Sequence, residues 1–252
     1  MKRKLVSWLQ MLFNAVYSGS LLERDLRKAS NISEEGVWHH VFNQSFRAKE
    51  PNRNLPINMG RWAGGASFLY ILHRILEATR PVYILEMGLG ESSKFISHFL
   101  SVNQYPCKHI VVEHDEEWVR FYSEQVALSE RTEVEVVPVV HRKNRADGIE
   151  GLVYQSIREE HWTQADLIVI DGPFGRGKHA RSNVLDFVDY LSPKRPFVLV
   201  FDDAQRPGEQ NTIKELLQRL DAAGIEVHIG KFGGIKQCIV ISSSEFAWIK
   251  TA

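Results

Sequence analysis

The sequence predicts an α/β protein with a Rossmann-like, doubly wound seven-stranded sheet that ends in an antiparallel hairpin, preceded by an N-terminal helical extension. Three observations predict this class. Short apolar runs alternate along the chain with segments of helical periodicity, as in parallel sheets covered by helices. A glycine-rich turn follows the first apolar run. Only Lys231 to Ile235 separate the last two runs, which is too short for a parallel crossover and suits a hairpin.

The apolar runs predict seven strands, with helices between the first six. These strands lie near residues 82–87, 108–113, 134–138, 166–171, 196–202, 225–230 and 236–242. Before them, Arg61 to Thr79 carries apolar residues at helical spacing and is expected to pack on the sheet. We therefore divide the chain into an N-terminal helical and cap extension, residues 1–59, and a ligand-binding domain, residues 60–252.

The extension begins with a basic segment and an amphipathic helix over Leu5 to Tyr17. The apolar stretch is shorter than the about 20 residues that cross a bilayer, and polar residues interrupt it, unlike the core of a signal peptide. Two uses stay open for residues 1–17: packing on the domain or on a second subunit, and peripheral contact with a membrane surface. Residues 18–57 are polar and are expected to form a cap over the site.

Composition limits the partners of the chain. Its 252 residues carry 31 basic and 31 acidic side chains, and 44% are apolar, so the chain can bury a full sheet. Without a global basic field, a nucleic-acid partner is not expected. Cys107 and Cys238 lack the spacing of a zinc site or a disulfide framework, which indicates buried thiols in a reducing, cytoplasmic compartment.

The strongest functional signal is the first strand, which ends in Glu86, turns through Gly88 and Gly90, and enters a helix. Such a turn lets the backbone approach a ligand, and the helix N-terminus presents free N–H groups to it. The second strand ends in Glu113, where an acid can accept hydrogen bonds from ribose hydroxyls. In the dinucleotide pattern G-x-G-x-x-G the third glycine falls on Ser93, which disfavours NAD.

An acid before G-x-G with no third glycine resembles motif I of class I S-adenosylmethionine (SAM) methyltransferases. The resemblance implies that SAM is the cofactor and that residues 60–252 form a methyltransferase domain. The residues implied in cofactor binding are Glu86, Gly88, Gly90, Ser92, Glu113 and Asp171.

Two later strands also deliver acids, Asp171 after the fourth strand and Asp202 with Asp203 after the fifth. The carboxyl ends of parallel strands share one edge, so these three carboxylates are expected to converge and to suit Mg²⁺. The pattern resembles the metal site of catechol O-methyltransferase. The alternative stays open that one acid caps a helix, another orients SAM or substrate, and no metal binds.

Three blocks taken together, residues 85–93, 166–173 and 201–209, resemble the polysaccharide-biosynthesis methyltransferases, whose plant members methylate glucuronic acid on xylan. The shared features are a glycine-rich block, a strand ending in Asp-Gly-Pro, and an Asp-x-x-Arg-x-x-Glu pattern that begins at Asp203. The family has His where Asp202 stands. By this resemblance the acceptor is a sugar or glycan hydroxyl.

Methyl transfer needs an aligned acceptor oxygen and a base that takes its proton. The candidate catalytic bases are Asp202, Asp203 and His179. The basic side chains that could bind an anionic acceptor are Arg176, Lys178, Arg181 and Arg206. Two alternatives stay open: a nicotinamide-dependent oxidoreductase, and a catalytically inactive SAM-binding scaffold in a glycan-assembly complex.

Overall fold

The computed structural model describes residues 2–48, 54–60, 63–104, 106–143, 148–175 and 177–251, and of residues 2–19 it describes the backbone. The strands are β1 (Tyr83–Met87), β2 (Lys108–Glu113), β3 (Thr132–Val136), β4 (Val139–Lys143), β5 (Glu150–Tyr154), β6 (Leu167–Ile170), β7 (Val198–Phe201), β8 (Val227–Phe232) and β9 (Cys238–Ser243). The α-helices are α1 (Lys2–Phe42), α2 (Ala66–Thr79), α3 (Glu91–Asn103), α4 (Glu116–Gln125), α5 (Glu159–Gln164) and α6 (Pro207–Ala222). A π-helical turn covers Asn43–Arg47, and 3₁₀ helices cover Ser182–Tyr190 and Ser244–Thr251.

Seven of the strands form one mostly parallel sheet in the order β3-β2-β1-β6-β7-β9-β8. β1 pairs in parallel with β2 on one side and β6 on the other, while β9 runs antiparallel to both β7 and β8. The predicted fold class, including its terminal hairpin, is confirmed. From β1 the chain moves outward to β3, and from β6 it moves outward in the opposite direction. The crevice at the carboxyl ends of β1 and β6 is therefore the topological switch point, where open α/β sheets bind ligands.

Alternate residues of the central strands pack into two hydrophobic cores, one on each face of the sheet. Ile84 packs with α2, α3 and the end of α1, whereas Leu85 packs with α6 and the 3₁₀ helix Ser182–Tyr190. Both side chains are 0% exposed. A doubly wound sheet requires this alternation, because helices pack on both of its faces and each face must therefore be apolar.

A second, two-stranded antiparallel sheet pairs β4 with β5. Its two strands were not predicted from the sequence. β4 has the sequence VVHRK and is half-exposed along its length, so it lacks the continuous apolar run by which the central strands were recognised. This small sheet follows β3 and carries Tyr154 towards the carboxyl edge of the main sheet.

The N-terminal helix is much longer than the predicted segment Leu5 to Tyr17, because α1 has 41 residues. It continues through residues that the sequence analysis assigned to a polar cap. At its end, Phe42 and Phe46 are 0% and 1% exposed, and their rings stack 5.2 Å apart. Phe46 also lies 4.7 Å from Phe95 of α3, ring centre to ring centre. The end of α1 and the turn after it therefore belong to the core.

Among the described residues, no helix combines the length and apolar character needed to span a bilayer. The two uses predicted for residues 1–17, membrane contact and subunit packing, concern side chains that lie outside the described ones and stay predictions.

Replacing Phe46 by Ala should lower the free energy of unfolding by about 3–5 kcal/mol, because a large buried ring leaves a cavity among Phe42 and Phe95. Urea denaturation followed by circular dichroism measures this loss. Leu26→Ala is the matched control, since Leu26 lies on the same chain segment but is 61% exposed, and it should change stability by less than about 0.5 kcal/mol. Equal effects of the two variants would show that the end of α1 is separable from the domain.

Candidate functional site

A cavity of about 1180 Å³ opens at the carboxyl edge of the sheet, at the switch point. Its walls come from the segments that follow β1, β2, β6 and β7, and residues 58–60 before α2 border it from the side of the predicted cap. Of the residues that the sequence analysis proposed for the site, it brings together Gly88, Gly90, Glu113, Asp171, Arg181, Asp203 and Arg206.

The turn after β1 packs directly on the segment after β6. Gly88 has a φ of +102°, which favours glycine, and a Cβ there would lie 3.0 Å from the carbonyl carbon of Asp171. Gly90 begins α3, and its N–H donates to Ser93 Oγ at 3.1 Å. At Gly90 an added Cβ would meet none of the described atoms within 4 Å, so this backbone faces the open cavity. Gly88 thus permits close packing of the two segments, and Gly90 leaves the backbone accessible from the cavity.

Glu113, at the end of β2, is a fixed carboxylate in the cavity wall. Its Oε2 accepts from the Leu89 N–H at 2.9 Å, and its Oε1 accepts from the N–H groups of His114 at 2.6 Å and Asp115 at 3.0 Å. A carboxylate offers about four lone-pair sites, so Oε2 can still accept a hydrogen bond from a ligand hydroxyl. The glycine-rich turn and the acid predicted to bind ribose are joined by the bond to Leu89.

Two predicted cofactor residues lie behind the cavity wall. Glu86 is 0% exposed, and its Oε2 lies 2.9 Å from Nε2 of His109, which is also fully buried. This pair links β1 to β2 beneath the turn. Ser92 is 4% exposed and lies in the first turn of α3. Both residues lie outside the cavity lining.

Asp171, Asp202 and Asp203 lie together at the carboxyl ends of β6 and β7. One oxygen of each carboxylate lies within 4.8 Å of the others. Parallel pairing of β6 with β7 produces this meeting, since the Asp202 N–H donates to the Ile170 carbonyl at 3.1 Å. Asp203 has a φ of +55°, a conformation that aspartate tolerates better than most residues.

Three cations already pair with these acids. Lys236 Nζ, from the β8–β9 hairpin, lies 2.9 Å from Asp202 and 3.2 Å from Asp203. Arg181 Nη2 lies 3.0 Å from Asp171 and 3.4 Å from Asp203. Arg206 Nη2 lies 2.9 Å from the same Asp203 carboxylate. The acids therefore form the centre of an ion-pair network.

This network does not fit the divalent cation that the sequence analysis considered for Asp171, Asp202 and Asp203. Mg²⁺ needs a nearly octahedral shell of oxygen atoms. Here the guanidinium group of Arg181 lies 3.0 Å from an oxygen of Asp171 and the ammonium group of Lys236 lies 2.9 Å from an oxygen of Asp202, and both would repel a further cation. We therefore derive no chemical step through a metal ion.

Burial raises the pKa of both Asp171 and Asp202, but the two carboxylates differ in their access to the cavity. Burial raises the pKa of Asp171 to about 7, an effect that the nearby Arg181 opposes. The side chain of Asp171 is nevertheless 22% exposed and lines the cavity. Burial also raises the pKa of Asp202, against the opposing charge of Lys236, but Asp202 is 0% exposed and lies behind the lining. Of the two, Asp171 is the carboxylate that can exchange a proton with a ligand near neutral pH.

The glycine-rich segment after β6 brings fewer groups to the cavity than the sequence suggested. His179 is 7% exposed and turns towards β5, where its Nδ1 accepts from the Glu150 N–H at 3.3 Å. Lys178 is exposed, and its carbonyl accepts from the side-chain amide of Asn211 at 2.8 Å. Both lie outside the cavity lining. Arg176 lies outside the described residues, so its predicted role in acceptor binding stays a prediction.

Sequence reasoning missed Lys236. Its position depends on the hairpin turn through Gly233 and Gly234, and α1 packs so closely on Gly234 that a Cβ there would overlap the Asn31 carbonyl. The glycine pair before a lone lysine was the available signal. It predicted the hairpin but could not indicate that the lysine would lie against Asp202.

No protein-family model and no curated protein matches this sequence. Solved structures do match. One is a putative O-methyltransferase from Klebsiella pneumoniae, 14% identical, covering 85% of this chain and 99% of that one, with a TM-score of 0.49. A second is an O-methyltransferase from Bacillus cereus in complex with S-adenosylhomocysteine (SAH), 16% identical, covering 84% and 91%, with a TM-score of 0.45. A third is a probable spermidine synthase from Corynebacterium glutamicum, 14% identical, covering 75% and 68%, with a TM-score of 0.42.

At these identities and TM-scores, the strand order of this chain is what defines its fold.

Replacing Lys236 by Met should lower the free energy of unfolding at pH 8 by about 3–5 kcal/mol, because the buried Asp202 carboxylate loses its partner. Adding Asp202→Asn should restore part of this loss, since a buried amide costs less than an unpaired charge. Guanidinium denaturation measures both variants. Lys231→Met, at an exposed position of the same hairpin, is the control and should have little effect. A loss as small as that of the control would argue against a buried pair.

Proposed function

We propose that this protein is a SAM-dependent O-methyltransferase that methylates a hydroxyl group of a small-molecule acceptor. The observation that carries the proposal is that one cavity contains both halves of the required site. The Gly88–Gly90 turn and Glu113 suit a nucleoside, and Asp171 and Asp203, which line the same cavity, suit a hydroxyl. Its volume of about 1180 Å³ exceeds the about 300–1,000 Å³ of most single-ligand pockets, which leaves room for cofactor and acceptor together.

The charge of the cavity favours SAM over NAD. Acidic side chains outnumber basic ones among the described lining residues: the acids are Glu91, Glu113, Asp115, Asp171 and Asp203, and the bases are Lys94, Arg181 and Arg206. A negative wall attracts the sulfonium and ammonium groups of SAM and repels the pyrophosphate of a dinucleotide. Ser93, at the place of the third dinucleotide glycine, accepts from the Gly90 N–H. These features count against the oxidoreductase alternative.

For the chemical step, SAM supplies an electrophilic methyl group when it is bound. The chain must hold the acceptor oxygen in line with that group and take its proton. We assign the role of the base that takes this proton to Asp171, because its carboxylate lines the cavity and its pKa is raised to about 7. Asp203, held by Arg206 at 2.9 Å and Arg181 at 3.4 Å, orients the acceptor hydroxyl. Asp202 then acts indirectly, through its ion pair with Lys236.

For the acceptor we propose a sugar or glycan hydroxyl. The resemblance of the three sequence blocks to polysaccharide-biosynthesis methyltransferases supports it. The acids in the cavity lining also support it, because Asp171 and Asp203 can accept hydrogen bonds from neighbouring hydroxyls of a sugar. Arg206, whose side chain is 42% exposed at the cavity, can pair with the carboxylate of a uronic acid. An acceptor screen with radiolabelled SAM, comparing neutral sugars, uronic acids and phenols, tests this choice; transfer to phenols alone would contradict it.

Replacing Glu113 by Gln should weaken SAH binding by about 1–3 kcal/mol, through loss of charge-assisted hydrogen bonds to the ribose hydroxyls. Gln is chosen because its amide oxygen can still accept from the Leu89 N–H. Isothermal titration calorimetry measures the change. Glu117→Gln, an exposed position in the first turn of α4, is the control. An unchanged SAH affinity would remove Glu113 from the cofactor site, and binding of NAD⁺ instead of SAH would favour the oxidoreductase.

The rate of methyl transfer should rise with pH about tenfold per unit below pH 7 and level off above it, because the base must be ionised. Asp171→Asn should abolish this rise and lower the rate by about 10²–10⁴-fold, while SAH still binds. Loss of SAH binding in this variant would instead make Asp171 a cofactor ligand, as the sequence resemblance implied. Binding of SAH without transfer to any acceptor in wild-type protein would favour the scaffold alternative.

The same group gives a measurement that needs no acceptor. The folded protein holds the Asp171 proton more tightly than the unfolded chain, so this group's contribution makes stability fall as pH rises from the ordinary value of 3.8 to about 7. Asp171→Asn should remove that part of the pH dependence in urea denaturation. An unchanged profile would contradict the raised pKa.

A further inference from the structure

The hydroxyl of Tyr154 is a buried polar group in the wall of the cavity. Tyr154 ends β5, the second strand of the small sheet, and it lines the cavity although the residue is 1% exposed. Among the residues that the structure describes, its hydroxyl has no hydrogen-bond partner. Buried hydroxyls are nearly always paired, because losing water without gaining a partner is unfavourable.

The surrounding structure holds this ring in place. The Tyr154 N–H donates to Asn183 Oδ1 at 2.9 Å, and Asn183 Nδ2 donates to the Tyr154 carbonyl at 3.0 Å. Asn183 is itself buried and begins the 3₁₀ helix after β6. On the other side, a Cβ at Gly172 would lie 2.5 Å from the Tyr154 hydroxyl. A phenylalanine at position 154 would bury the same ring without an unpaired oxygen, so burial of the ring alone does not explain the tyrosine.

Tyr154 lies between the segment after β2 and the segment after β6. The ring centre of Tyr154 is 6.4 Å from that of His114, the residue after Glu113. Gly172, against which the hydroxyl rests, packs on Gly88 of the glycine-rich turn. Burial raises the pKa of Tyr154 well above its ordinary value, and the charge of Glu113 adds to this. At neutral pH the group is therefore a phenol that can donate a hydrogen bond.

We infer that the Tyr154 hydroxyl donates a hydrogen bond to the adenosyl part of the bound cofactor. This inference rests on the proposed function and adds a cofactor-binding residue to it. The small sheet β4–β5 then has a role in the site, since it delivers this hydroxyl between the segment after β2 and the segment after β6. The neighbouring Glu113 accepts hydrogen bonds from the ligand, and Tyr154 supplies the matching donor.

Calorimetric titration of wild-type protein and Tyr154→Phe with SAH and with 5′-methylthioadenosine, which lacks the amino-acid part, tests the inference. We expect Phe to weaken the binding of both ligands about tenfold, which is about 1.4 kcal/mol. The melting temperature without ligand should stay equal or rise, because the substitution removes an unpaired buried oxygen. Tyr190→Phe is the matched control, because Tyr190 ends the 3₁₀ helix Ser182–Tyr190, is partly buried against the core and lies outside the cavity lining; it should leave both affinities unchanged.

Affinities within about twofold of wild type for both ligands would overturn the inference. A loss for SAH alone would also overturn it, because the contact would then involve the amino-acid part. A lower melting temperature without ligand would assign the hydroxyl a structural role and overturn it as well. Wild-type protein that binds neither ligand would overturn the proposed function itself, and this result is distinct from the other three.

Discussion

The buried carboxylate of Asp202 is the constraint on which the rest of the site depends. It is 0% exposed, and a charge at such a place is stable only when it is paired and hydrogen-bonded. Lys236 provides the pair, and Arg181 extends the same compensation to Asp171 and Asp203. Since these groups come from β6, β7, the 3₁₀ helix region and the last hairpin, the site is complete only when the whole carboxyl edge has assembled.

Lys236 also connects this network to the N-terminal part of the chain. Its ammonium group donates to the Ala63 carbonyl at 2.8 Å, next to the segment that borders the cavity before α2. The neighbouring Ile235 N–H lies 3.3 Å from a carboxylate oxygen of Glu35 on α1. One hairpin thus fixes the buried acid, the side wall of the cavity and the approach of α1. The N-terminal extension is therefore part of the structure that positions the site.

Sequence reasoning succeeded where local pattern determines structure. The continuous apolar runs identified the central strands, and the Gly88 turn identified the edge of the sheet at which the cavity opens. It missed β4 and β5, since half-exposed strands with charged residues lack that pattern. It also placed His179 too near the site: Gly177 packs so closely on Gly151 of β5 that a Cβ would lie 2.8 Å from the Gly151 Cα, and the chain then turns His179 away. Such choices depend on contacts between distant segments, which one sequence does not show.

The three aspartates show how environment divides one residue type into separate roles. Asp202 is enclosed and paired with Lys236, so its charge organises the edge. Asp203 has three cations within 3.4 Å, so its charge is already compensated and it is suited to orientation. Asp171 faces the cavity with Arg181 as its nearest cation, and burial raises its pKa to about 7. A protein that only bound SAM would need Glu113 and the glycine turn but not this network, because well-packed apolar residues stabilise a fold as well as buried ion pairs do. Stability alone therefore does not explain why this network lies beside Glu113 and the Gly88–Gly90 turn, and this placement supports the proposed catalysis over the scaffold alternative.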